Sequence, residues 1–183
     1  MDLVPEAANI LRVHAGVVLD EHGKDTPSRF LQMLDDLTKC KTCDALCIKW
    51  KTFDAIAQDM IVVRDIPFTS VCNHHIVPFM GKAHIAYVPR ADMAGLSKFA
   101  RVVHHFASMP QVQERLTAEI GDFLEDHLDP LGVGVVLEAE HLCMTIRGVQ
   151  VPGTYTSTQT MRGVFADHTR TAKAEFMGMI NHG

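Results

Sequence analysis

The tetrapeptide Cys72-Asn73-His74-His75 is followed, 68 residues after His75, by Cys143, with His141 two positions before that cysteine and Arg147 four beyond it. Residues two apart in a strand share a face. Placed on one long strand, His141, Cys143 and Arg147 would present an imidazole, a thiolate and a guanidinium to a common pocket. Two thiolates and an imidazole suit a tetrahedral zinc ion and leave one position open, as catalytic rather than structural zinc sites do. Cys72, His75 and Cys143 are the candidate ligands, and water at the open position would have its pKa lowered toward neutrality. Residue types alone leave a second reading open, because free cysteine is among the most buried residues and histidines also pack in cores.

Two further clusters could handle a nucleotide. Ser97, Lys98 and Arg101 open a helical segment after Gly95, where backbone N–H groups and the positive end of the helix dipole favour phosphate. A solvated helix face accounts for the same three residues. In Gln111-Val112-Gln113-Glu114-Arg115, Glu114 suits the start of a helix, and its carboxylate can also accept the paired N–H donors of a guanine edge. Cys40, Cys43 and Cys47 have metal-like spacing but no nearby histidine or fourth cysteine, so they read as reduced surface thiols. No Gly-x-x-x-x-Gly-Lys-Ser/Thr phosphate loop occurs.

The elements that must position these residues follow from periodicity. A first helix is expected from about Pro5 to Leu19, and a second after Asp25-Thr26-Pro27, with Asp25 as cap and proline in the first turn. Ile61 to Val71 and Lys82 to Val88 read as strands with a turn at residues 72–75 between them. Leu96, Phe99, Val103 and Phe106, then Val112, Leu116, Ile120, Phe123 and Leu128, make two amphipathic stripes, the second stopped at Asp129-Pro130. Val133 to Ile146 reads as one long strand, Thr154 to Met161 as its partner, and Thr169 to Ile180 as a closing helix. The order predicts an α+β fold, an antiparallel four-stranded sheet with a helix pair on one face, plus N-terminal helices. Residues 1–52 form the helical region and connection, and residues 53–183 the catalytic domain. Val136, Leu142, Met144 and Ile146 would face away from the helix pair and need a cover, which edge pairing into a homo-oligomer would supply.

Composition narrows the function classes. The 183 residues carry a net charge of −5 with 47% hydrophobic and 21% charged residues, so the chain is a folded protein without the global positive field that nucleic acid needs. Its apolar runs are far short of a membrane span. An N-terminus without a basic region, and an odd number of cysteines, five, point to a cytoplasmic protein with thiols rather than disulfides.

With these segments in hand, the sequence resembles GTP cyclohydrolase I, the zinc enzyme that opens pteridine biosynthesis. The resemblance rests on Thr69 to His75, Gly81 to Pro89, Gly95-Leu96-Ser97-Lys98, Gln111 to Thr117, and Glu140-His141-Leu142-Cys143 with Arg147-Gly148-Val149, and more weakly on Asp25 to Arg29. It implies the tunnelling fold, assembled into a homo-oligomer, usually a decamer, with active sites between subunits. Carried over by position, Cys72, His75 and Cys143 hold Zn2+, His141 is the acid that protonates N7 of the purine, and His74 is a second pocket histidine. Glu114 with Gln113 anchors guanine, and Ser97, Lys98, Arg101, Arg147 and Arg29 contact the triphosphate. The implied reaction turns GTP and water into formate and 7,8-dihydroneopterin triphosphate. The family usually has Glu where Asn73 stands, and commonly a lysine at the position of Gln32. These departures keep an alternative in view, a catalytically weakened nucleotide-binding oligomer of the same fold.

Overall fold

Phe79, Ala83, Ile85 and Tyr87 alternate with Met80, Lys82, His84 and Ala86, and a strand sends the two sets to opposite sides. The computed structural model describes residues 2–39, 48 and 50–181, in two compact units divided between Lys39 and Cys40. Cys40, Cys43 and Cys47 lie outside the described residues.

The first unit packs α1 (Val4–Ala15) against α2 (Thr26–Leu37). The first helix stops short of the expected Leu19 because Gly16 takes a left-handed conformation, φ 65°, and its N–H donates to the carbonyl of Leu11. Proline sits in the first turn of α2 as expected, but Asp25 makes no side-chain cap. Its carboxylate pairs instead with Arg29 at 3.6 Å, both groups exposed.

In the second unit β1 (Thr52–Asp54), β2 (Ile61–Cys72), β3 (Val77–Val88) and β4 (Asp92–Ala94) are followed by α3 (Ser97–Ala107), β5 (Pro110–Gln111) and α4 (Gln113–Leu128). Then come β6 (Gly132–His141), α5 (Leu142–Thr145), β7 (Tyr155–Gly163) and α6 (Ala172–Asn181). Among the described residues the sheet has five strands, not four, in the order β5-β2-β3-β6-β7, and β1 and β4 form a separate two-stranded ladder. The four long strands are antiparallel, and the fifth is a two-residue parallel addition, Val71 to Pro110 and Cys72 to Gln111. Three such short strands are below the length at which alternation can be read.

The expected helix pair is present on one face. Phe99, Val102 and Val103 of α3 and Leu116, Ile120 and Leu124 of α4 are buried against Phe79, Ala83, Ile85, Val135 and Leu137 of the sheet. Leu96 is the exception in the first stripe, 65% exposed and ahead of the helix. The second face is covered at one end by the chain itself, where Phe165 and Phe176 enclose Ala86 and Val136. Gly134 lets the ring sit close, since a Cβ there would lie 3.0 Å from the Phe176 ring. Leu142, Met144 and Ile146 belong to no strand face at all, because the strand ends at His141.

Candidate metal centre and active site

Strand β2 ends on Cys72, whose carbonyl accepts the N–H groups of His75 and Ile76 at 3.3 and 2.8 Å, closing a turn that starts β3. His141 pairs with Phe79 at the last rung of the β3–β6 ladder, while β7 joins β6 only up to Glu140. Past His141 the chain has no strand on either side, so Leu142 to Thr145 closes a helical turn, with Ile146 N–H donating to Leu142 at 3.0 Å. This corrects the expectation of one strand face bearing His141, Cys143 and Arg147. The turn achieves the juxtaposition by another route. Ligand atoms of Cys72, His75 and Cys143 all lie within 4.8 Å of one another.

Burial and the neighbouring Cys72 thiol push the Cys143 thiol above its ordinary pKa, with Arg147 pulling weakly the other way. Two sulfurs held this close resist ionising unless a cation joins them, and a divalent ion inverts that preference. Two thiolates and one imidazole form a soft donor set of the kind zinc takes, three protein ligands with a fourth position to spare. The residues present therefore fit a metal.

Beside them is a cavity of about 220 Å³ lined by Cys72, His74, Gln113, Glu114, His141, Cys143 and Thr156, among others. The end of β2, the start of α4, the end of β6 and the start of β7 each supply part of its wall. His74 Nδ1 is 3.8 Å from Cys72 Sγ. The imidazole of His141 stacks on Phe79, ring centroids 4.6 Å apart and planes within 2°, and its Nε2 meets Gln113 Oε1 at 2.7 Å. Burial lowers the pKa of His141, opposed by the Glu114 carboxylate. Phe79, Thr156 and Thr158 escaped notice in the sequence. The threonine-rich run was legible as a strand, and its period of two already puts both threonines on one face.

The proposed phosphate contacts are placed elsewhere. Ser97, Lys98 and Arg101 stand at the start of α3, Arg147 is exposed after α5, and none of the four lines this cavity. Two of the amides in this first turn are already engaged, since Lys98 and Phe99 N–H donate to Gly95 and Leu96 at 2.8 and 3.3 Å. Arg29 is on α2, in the other unit.

A soft Cys/His donor set next to an imidazole and a carboxylate is equipment for metal-assisted hydrolysis. The sequence profile of GTP cyclohydrolase I matches residues 5–181. GTP cyclohydrolase 1 of Hydrogenobaculum is 49% identical over 159 residues, 86% of this chain and 84% of its own. That of Aquifex aeolicus is 44% identical over 180 residues, 97% and 95% of the two chains. The chain belongs to the GTP cyclohydrolase I family. The helix-backed antiparallel sheet is thus the tunnelling fold that the sequence motifs implied. An archaeosine synthase QueF-like structure in the apo form aligns over 58% of this chain and 96% of that one at TM-score 0.49 and 14% identity.

Proposed function

We propose that this protein is an active, zinc-dependent GTP cyclohydrolase I that converts GTP and water to formate and 7,8-dihydroneopterin triphosphate. The observation that carries the reading is the gathering of Cys72, His75 and Cys143 at a cavity that also holds His141 and Glu114. A zinc ion in this donor set supplies a Lewis acid able to make water nucleophilic near neutral pH.

The chain's own residues do the rest. Glu114 accepts the N1–H and exocyclic amine of guanine, which turns C8 toward the metal ligands. His141 donates a proton at N7 as water adds to C8, a general-acid contribution typically worth about 10²–10⁴ in rate. Ring opening leaves a formamide, whose hydrolysis releases formate. The ribose then opens, rearranges and recloses on the two amines. His74 is the second histidine within reach of the reacting ring.

A cavity of about 220 Å³ is below the roughly 300–1,000 Å³ of sites that enclose a whole drug-sized ligand. One chain therefore encloses the purine and leaves the triphosphate outside, where Ser97, Lys98, Arg101 and Arg147 are the cations and hydroxyl the same unit offers, with Arg29 added by the resemblance alone. This favours a homo-oligomer, decameric by the resemblance, whose copies complete each other's sites. Among the described residues no helix is long and apolar enough to cross a membrane, and free thiols at the site suit the cytoplasm. Zinc-loaded protein incubated with GTP is expected to release formate and a product that becomes a fluorescent pterin on oxidation. GTP bound but unchanged would overturn the reading in favour of a nucleotide-binding oligomer without turnover.

A further inference from the structure

Gln113 is 2% exposed, and every polar atom of its side chain is engaged. Nε2 lies 3.2 Å from the carbonyl of Leu137, 2.9 Å from that of Thr156 and 3.1 Å from Thr158 Oγ1. Oε1 lies 2.7 Å from His141 Nε2. A backbone carbonyl accepts and cannot donate, so the amide has one orientation. Turned over, it would press its oxygen against two carbonyl oxygens.

The neighbouring hydroxyls agree. Thr117 Oγ1 donates to the Gln113 carbonyl at 2.7 Å, again an acceptor only. Thr158, 2.6 Å from Thr117 Oγ1, therefore gives its proton to Thr117 and keeps a lone pair for Gln113 Nε2. Proton direction along the chain is set at both ends by main-chain oxygens.

An oxygen without a proton requires an N–H opposite it. His141 Nε2 must carry its proton toward Gln113 whether the ring is neutral or charged, while Phe79 holds the ring from its face at 4.6 Å. We propose that Gln113 is the positioning residue of His141, fixing the orientation of the ring and its Nε2–H form through the bond to Oε1. The amide then has no donor or acceptor to spare for a purine, and guanine recognition falls to Glu114. The assignment rests on the reading of this cavity as the GTP site.

The test compares zinc-loaded wild-type enzyme with Gln113→Met, which keeps the length of the side chain and removes the acceptor. A positioning role predicts a fall in kcat for formate release of roughly 10–10²-fold, bounded by what a general acid supplies, with KM for GTP changed less than about threefold. A purine anchor would raise KM and spare kcat, and any result in which kcat holds overturns the proposal. Folding of the variant is not required for the second measurement. In 15N-histidine-labelled wild-type protein, with the His141 signals identified by their loss in His141→Asn, the Nε2–H tautomer is expected, and an Nδ1–H tautomer overturns the proposal. Failure of wild-type protein to release formate would sink the proposed function instead, leaving the tautomer to be judged by the spectrum.

Discussion

Replacing Glu114 by glutamine separates two roles that the same position could serve. Glu114 stands in the first turn of α4 with its side chain on the cavity wall. As a partner of the helix dipole it would contribute about 0.3–1 kcal/mol to stability and nothing to nucleotide binding. As the guanine anchor it accepts two N–H donors, and hydrogen bonds to charged groups are worth about 1.5–3 kcal/mol net. The lower end applies, because the residue is exposed and water and salt screen it. Glutamine keeps one acceptor but turns a donor on a donor of the base. Losing one bond at about 1.5 kcal/mol corresponds to roughly tenfold in Kd, and the opposed donors add to it. Calorimetric titration in a zinc-loaded His141→Ala background avoids turnover. Glu114→Gln is expected to weaken GTP at least about tenfold and inosine triphosphate, which lacks the exocyclic amine, by less. An unchanged GTP affinity together with a small loss of stability would assign Glu114 to the helix dipole and refute the anchor.

Phe176→Ala should cost about 3–5 kcal/mol in urea unfolding at fixed protein concentration, because the fully buried ring closes over Gly134 and stacks edge-on to Phe165 at 6.0 Å. A loss below about 1 kcal/mol, the scale of an ordinary surface change, would show that α6 does not seal the second face. Stability should also fall on acidification through His84, whose side chain is 4% exposed. Burial lowers its pKa, against the opposing pull of Asp65 and Glu138, with Lys82 and Arg64 reinforcing the lowering. The folded protein thus binds fewer protons there than the unfolded chain, so this stability is complete above the unfolded value of about 6.5 and is lost as pH drops through it toward the folded one. His105 and His141 are lowered by burial as well, so the comparison is between wild type and His84→Gln at pH 7.5 and 5.5. An identical acid loss in the variant would take His84 out of the account.

The parts of the site that were legible in the sequence are those whose meaning is carried by residue type and spacing. Two cysteines and a histidine pair at family spacing mark the three side chains that come within reach of one ion, and the stripes of α3 and α4 announce the helix pair because burial repeats every three to four residues. Strand β5 escapes because two residues have no period, yet its pairing of Cys72 with Gln111 leads the chain directly into the cavity wall. Helix α5 escapes for a different reason. Leu142 to Ile146 is β-prone by composition, and it turns helical only because the ladders on both sides of β6 have already ended.

Gln113 marks the same boundary from the chemical side. Beside Glu114 in a recognition motif, its amide looks available to a base, with a donor and an acceptor to offer. Its partners lie 24, 43 and 45 residues away, and two main-chain oxygens and the Thr158 hydroxyl take up its N–H groups and dictate where the remaining oxygen points. A buried amide so constrained acts on whatever faces that oxygen, here an imidazole two residues from Cys143, one of three side chains placed to hold a metal. Spacing along the chain locates such a residue near the cavity, but only the closure of β6 on β7 brings its oxygen to the His141 ring.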